Sequence, residues 1–163
     1  MKICHNLFTN WERYSIIIVS KPFPGDPRVQ IYKEKTFYPA EGTKFMKIKT
    51  IMELLDAEVL CGEEMIDSEV HSACGSDMMS DVLAFVKEQA VLLTGLINLQ
   101  VVRTAEMMDM RCIVFVRGKN PPDDVVELAR ESGIVVLKTN ERMYVACGKL
   151  YENGLKGGSV EER

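Results

Sequence analysis

No long hydrophobic run occurs in this 163-residue chain. Its longest apolar stretches, such as Ile16–Val19, fall far short of the roughly 20 residues that span a bilayer. Glu12 and Arg13 interrupt what a signal-peptide core would have to be. The protein is therefore expected to be cytoplasmic, neither secreted nor bound to a membrane. A basic block is also missing: the formal net charge is -4, with acids and bases mixed along the chain, which argues against nucleic acid as a partner. The cysteines number five, an odd count without a CxxC pair, which excludes a disulfide framework and a four-thiolate zinc or iron–sulfur site. There is no GxxxxGK[ST] loop, no GxGxxG after a strand and no nucleophile elbow. Neither a metal nor a cofactor is expected.

What is present is a hydrophobic fraction of 47%, enough to bury the core of one domain of ordinary size. The first 45 residues read differently from the rest. Pro22, Pro24, Pro27 and Pro39 fall here, as does the single tryptophan, Trp11, with Phe8, Tyr14, Tyr32 and Phe37. Tyr14–Ser20 is strand-like, and the Pro-Phe-Pro-Gly-Asp-Pro stretch after it must be an irregular loop. Met46 then opens a clean start. The sequence favours Met46 as the true initiator, with residues 1–45 an extension upstream of it; Glu41-Gly42 would be encoded by the purine-rich stretch of a ribosome-binding site. The alternative is an extra hairpin packed on the domain.

From Met46 the chain alternates. Ile48, Ile51, Met52, Leu54 and Leu55 recur at helical spacing, predicting a helix over about Thr50–Leu55. Glu58–Cys61 reads as a strand ended by Gly62, and Glu69–Cys74 as a second extended piece. Ser76 or Asp77 is expected to cap a helix running to about Lys87. Ala90–Thr94, Arg111–Val116 and Ile134–Leu137 are continuous apolar runs of strand length. Helices are expected between them over about Asn98–Asp109 and, after Pro121-Pro122, up to Ser132-Gly133. A last helix is expected over Glu141–Tyr151. Strands without polar alternation that take turns with helices predict an α/β fold: three layers, a mostly parallel sheet with helices on both faces. The domain spans 46–157, and 158–163 read as a frayed tail.

The run from Val91 to Thr139 resembles the DRTGG domain: a strand, a small turn and a helix, then an apolar strand, a Gly turn, a Pro-led helix with Glu-Leu-Ala, a Gly, and a strand ending in Thr. Val70–Phe85 extends the match toward the N-terminus. The turn positions here read Thr94-Gly95-Leu96 and Arg117-Gly118-Lys119. The chain is most similar to stand-alone members found near iron-only hydrogenase genes. Other members are attached to CBS-domain pyrophosphatases, to phosphotransacetylase and to cobyrinic acid synthase-like proteins, and the fold resembles the N-terminal domain of HPr kinase. The resemblance implies a regulatory or interaction role, with a hydrogenase-linked protein as one partner, and it implies pairing with itself.

In an open parallel sheet, ligands bind outside the carboxyl ends of the strands. Those ends carry Ser76, Asp77, Thr94, Gly95, Arg117, Gly118 and Thr139, the candidate residues for a small anionic metabolite or nucleotide, with Lys119 and Asn140 beside them. Backbone N–H groups near helix starts favour an anion there; the competing reading is that these are ordinary caps and turns. His71 and Cys74 can in principle act as a nucleophile pair or as two ligands with Asp77 orienting, but residues three apart on an extended segment face opposite sides. Met78-Met79, Met107-Met108-Met110 and Met143 suit core filling, or a homodimer face. The expected function is a regulatory, ligand- or partner-binding module without catalysis. The alternative is a small phosphoryl- or acyl-transfer enzyme using the strand-end crevice.

Overall fold

The fold grows from three short apolar strands that water never reaches. Ala90–Thr94 (β5), Cys112–Phe115 (β6) and Val135–Lys138 (β7) are buried along nearly their whole length. Side chains alternate across a strand, so each strand feeds two cores. Val91, Leu93, Val114 and Leu137 lie on one side of the sheet, and Leu92, Ile113, Phe115 and Val136 on the other. A strand that buries both faces needs a helix layer on each. A computed structural model supplies this arrangement; it describes residues 45–86 and 89–157, without the Phe85 side chain. The expectations for 1–44 and for the 158–163 tail lie outside the described residues.

The element order is β1 Met46–Lys47, α1 Ile48–Leu54, β2 Glu58–Cys61, a 3-10 turn at Glu63–Met65, β3 Glu69–Val70, β4 Ser72–Gly75 and α2 Met79–Phe85, then β5, α3 Leu99–Met107, β6, α4 Asp123–Glu131, β7 and α5 Met143–Glu152. The main sheet runs β2-β7-β6-β5-β4. Strands β4 to β7 are mutually parallel, in register Ser72↔Ala90, Leu92↔Ile113 and Ile113↔Val136. Helices α2, α3 and α4 cover one face, while α1 and α5 cover the other. The α/β, three-layer, mostly parallel architecture therefore holds.

One edge strand makes the sheet mostly and not wholly parallel, as expected, and two local expectations are corrected. Strand β2 pairs antiparallel with β7, with an irregularity between Val59 and Cys61. The next strand of the main sheet, β4, follows β2 after ten residues without a crossover helix, so β2 runs opposite to β4 and to the strands parallel with it. The extended piece Glu69–Cys74 divides at His71: β3 joins β1 in a separate two-stranded antiparallel ribbon, and β4 joins the main sheet. Helix α2 ends at Phe85 and is not capped by Ser76 or Asp77; its N-cap position is Met78, without a side-chain bond. The outer edge of β4 is partly closed where the Ala73 N–H donates to the Lys156 carbonyl at 3.0 Å. Among the described residues, no helix is long and apolar enough to cross a membrane.

Candidate functional site

Parallel strands bring their carboxyl ends together, so residues 17 to 40 positions apart in sequence meet here. The helices that follow β4, β5 and β6 lie on one face, whereas the helix that follows β7 lies on the other. The loops after β6 and β7 thus diverge, which is the local geometry that opens a strand-end site in α/β sheets. Arg117 sits at that divergence. Its φ is 67° and that of Gly118 is 64°, left-handed values that suit glycine and cost an L-residue about 1 kcal/mol. The turn is held by the Arg117 N–H donating to the Glu141 carbonyl (2.7 Å) and the Gly118 N–H to the Thr139 carbonyl (2.9 Å). A side chain at Gly118 would also press on Asn140 Oδ1.

From this turn the Arg117 guanidinium reaches back across Gly95 to Asp77 Oδ2. A Cβ on residue 95 would overlap the guanidinium, so the crossing needs glycine. Asp77 Oδ1 accepts the Gly95 N–H at 2.6 Å and the Thr94 hydroxyl at 3.1 Å. Thr94 Oγ1 in turn accepts the Leu96 N–H at 3.1 Å. Four of the expected residues, Asp77, Thr94, Gly95 and Arg117, therefore form one connected cluster, centred on a carboxylate that accepts three donors. Partial burial of Asp77 disfavours its charge, but the Gly95 N–H, the Arg117 guanidinium and the Thr94 hydroxyl outweigh that and hold its carboxyl below the usual range. The ion pair is half open to water, with 42% and 47% of the Arg117 and Asp77 side chains exposed.

The other expected site residues are engaged differently. Ser76 Oγ accepts the Met78 N–H at 3.0 Å and closes its own turn. Gly118 belongs to the turn that presents Arg117. Thr139 is buried: its hydroxyl donates to the Leu55 carbonyl at 2.6 Å and accepts the Glu141 N–H at 3.1 Å, tying the end of α1 to the loop before α5. Backbone N–H groups at the strand ends were expected to await an anion. Those of Leu96, Arg117, Gly118 and Glu141 already meet fixed acceptors. Glu141, whose carbonyl holds the Arg117 turn, is the partner that the sequence reading missed; the consecutive Arg-Gly directly after an apolar strand is the signal for that turn.

His71 lies at the opposite end of β4 from Asp77, so Asp77 cannot orient it. Its ring instead sits against Phe45, with centroids 4.4 Å apart. Cys74 packs toward α2 and α3, and desolvation, then the nearby Cys147, push its thiol pKa up, away from nucleophilic form. Among the described residues, no three His, Cys, Asp or Glu side chains gather in a metal-binding arrangement. A shallow groove of about 470 Å³, lined by Leu60, Pro121, Val126, Glu127 and Arg130 among others, lies at the β2–α4 edge, apart from the cluster. Of the methionines, Met79 and Met110 are core residues, Met143 packs against the core, and Met78 and Met107 are exposed.

No curated protein matches the chain. A solved structure does: the CBS and DRTGG domains of the regulatory region of Clostridium perfringens pyrophosphatase, complexed with its activator, diadenosine tetraphosphate. The two share 19% identity and superpose with a TM-score of 0.55 over 71% of this chain and 48% of that one, a likeness of fold. This chain therefore matches about half the length of that regulatory region. The DRTGG domain family profile matches residues 50–152, from α1 through α5, and so takes in the whole main sheet and the Asp77–Arg117 cluster. The chain belongs to the DRTGG domain family.

Proposed function

We propose that this domain is a regulatory binding module, and that its strand-end cluster receives a small anionic ligand of the phosphorylated-metabolite or nucleotide kind. The observation that carries the reading is the convergence of a guanidinium from the turn after β6 with a hydroxyl and a backbone N–H from the end of β5 onto one carboxylate position at the sheet's carboxyl edge. Such a donor set recognises an oxyanion. The left-handed φ of Arg117 fits this reading, because strain in a non-glycine residue often accompanies a placed functional side chain. The related regulatory region binds a nucleotide activator, although that region also contains CBS domains. The transfer-enzyme alternative loses the His71–Cys74 pair, since His71 lies at the other end of β4 and the half-buried Cys74 has a raised pKa.

The same reading extends to partners. Self-association into a homodimer is motivated by exposed Met78, Leu83 and Met107 on α2 and α3 and just before α2. Docking onto a hydrogenase-linked redox or signalling protein follows from the resemblance alone. A thermal-shift screen with ADP, ATP, diadenosine tetraphosphate and inorganic phosphate tests the ligand reading, with turnover assays on each hit. The module should melt higher with at least one and consume none. Steady turnover of a hit would replace the reading with the enzymatic one.

A further inference from the structure

We infer that Asp77 is a tethered occupant of this site, and that an oxyanion with two oxygens on one centre, such as a terminal phosphate, binds by displacing it. The inference rests on the binding reading above and adds how the site is regulated. Carboxylate and phosphate present paired oxygens to the same donors. Asp77 uses both of its oxygens: Oδ1 takes Gly95 N–H and Thr94 O–H, and Oδ2 takes the guanidinium. The Arg117 and Gly118 N–H groups are bonded to backbone carbonyls of the β7–α5 loop, and those of Leu96 and Glu141 to a hydroxyl two residues away, so a ligand dislodges them only by reshaping the sheet end. The three donors on Asp77, by contrast, face an acceptor that can swing aside.

That acceptor is on a segment suited to moving. Asp77 is exposed and sits in the short loop between β4 and α2, a helix of seven residues without a side-chain cap. The Arg117 turn, by contrast, is pinned by two backbone bonds to the β7–α5 loop. Displacement would therefore shift the β4–α2 loop and leave the donors in place. Exposed Met78 adjoins Asp77 directly, so ligand occupancy would be reported on an apolar surface beside the site. A tethered carboxylate competes at a high effective concentration, and a closed fraction of nine-tenths lowers apparent affinity tenfold.

The test titrates inorganic phosphate into wild type, Asp77→Ala, Asp77→Asn and the Asp77→Ala/Arg117→Ala double variant, following the Gly95 amide resonance and the heat of binding. ADP is titrated into wild type in parallel. Asp77→Asn keeps the shape of the side chain, so it serves if the alanine variant fails to fold. The expected result is a tenfold or greater gain in phosphate affinity for Asp77→Ala and for Asp77→Asn, lost again in the double variant. If wild type binds phosphate or ADP at Gly95 and neither single variant binds phosphate more tightly, the displacement inference falls and the binding reading stands. If no variant binds phosphate and wild type binds neither probe, both fall and the cluster is a structural brace.

Discussion

Thr139 offers a sharp check because its hydroxyl is fully committed. It is 2% exposed, donates to the Leu55 carbonyl at 2.6 Å and accepts the Glu141 N–H at 3.1 Å. Thr139→Val keeps the shape and deletes both bonds, leaving a carbonyl from α1's end and an amide from the β7–α5 loop without that partner. At about 1 kcal/mol for each lost bond, the cost is about 2 kcal/mol. At about 2.1 cal/mol/K of unfolding entropy per residue, a domain of roughly 110 residues should lose about 9 °C in Tm. Thr139→Ser keeps both bonds and removes one methyl group, costing about 1 kcal/mol. Calorimetry of the three proteins decides it. A valine variant that melts within about 2 °C of wild type would refute the structural role and return Thr139 to the set of ligand contacts.

Arg117→Gly should hold stability within about 1 kcal/mol of wild type, since relief of the left-handed φ offsets an exposed ion pair, while anionic ligands lose affinity; a large drop in Tm would contradict this. The depressed Asp77 pKa stabilises the fold above the unfolded carboxylate value of about 3.9, and that contribution fades as pH falls through the lower folded value. Wild type and Asp77→Asn should therefore converge in stability at acid pH; a gap that widens on acidification would be the wrong sign. Cys112 is fully buried, and desolvation raises its thiol pKa far above normal, so alkylation mapped by mass spectrometry should spare it until unfolding; rapid native labelling would contradict its place in the core. The Met46–Arg163 fragment retains every described element from β1 onward and should melt with the full chain, whereas insolubility would show that residues 1–45 are needed.

The helices and buried strands were legible because apolar period and turn chemistry are local. The Ala90–Thr94, Cys112–Phe115 and Val135–Lys138 runs are too apolar to face water on either side, and Pro121-Pro122-Asp123-Asp124 marks a helix start whatever surrounds it. Strand direction was not legible for Glu58–Cys61, because its residues report burial and not which neighbour they meet. The break at His71 was hidden for the same reason: Glu69–Cys74 is extended throughout, yet its halves pair in different sheets. At the candidate site, the topology predicted which segments converge. It did not predict that Asp77, read as a helix cap, would turn instead to Thr94, Gly95 and Arg117. That choice depends on a guanidinium 40 residues away.

The central claim, that the strand-end cluster binds an anionic ligand, is tested most directly by backbone-amide NMR of the wild-type protein during titration with ADP. The account predicts saturable shifts at Gly95, Leu96, Arg117 and Gly118, with smaller ones along the β4–α2 loop. Saturable shifts confined to Leu60, Val126 and Arg130 in the groove at the β2–α4 edge, with Gly95 unmoved, would contradict it.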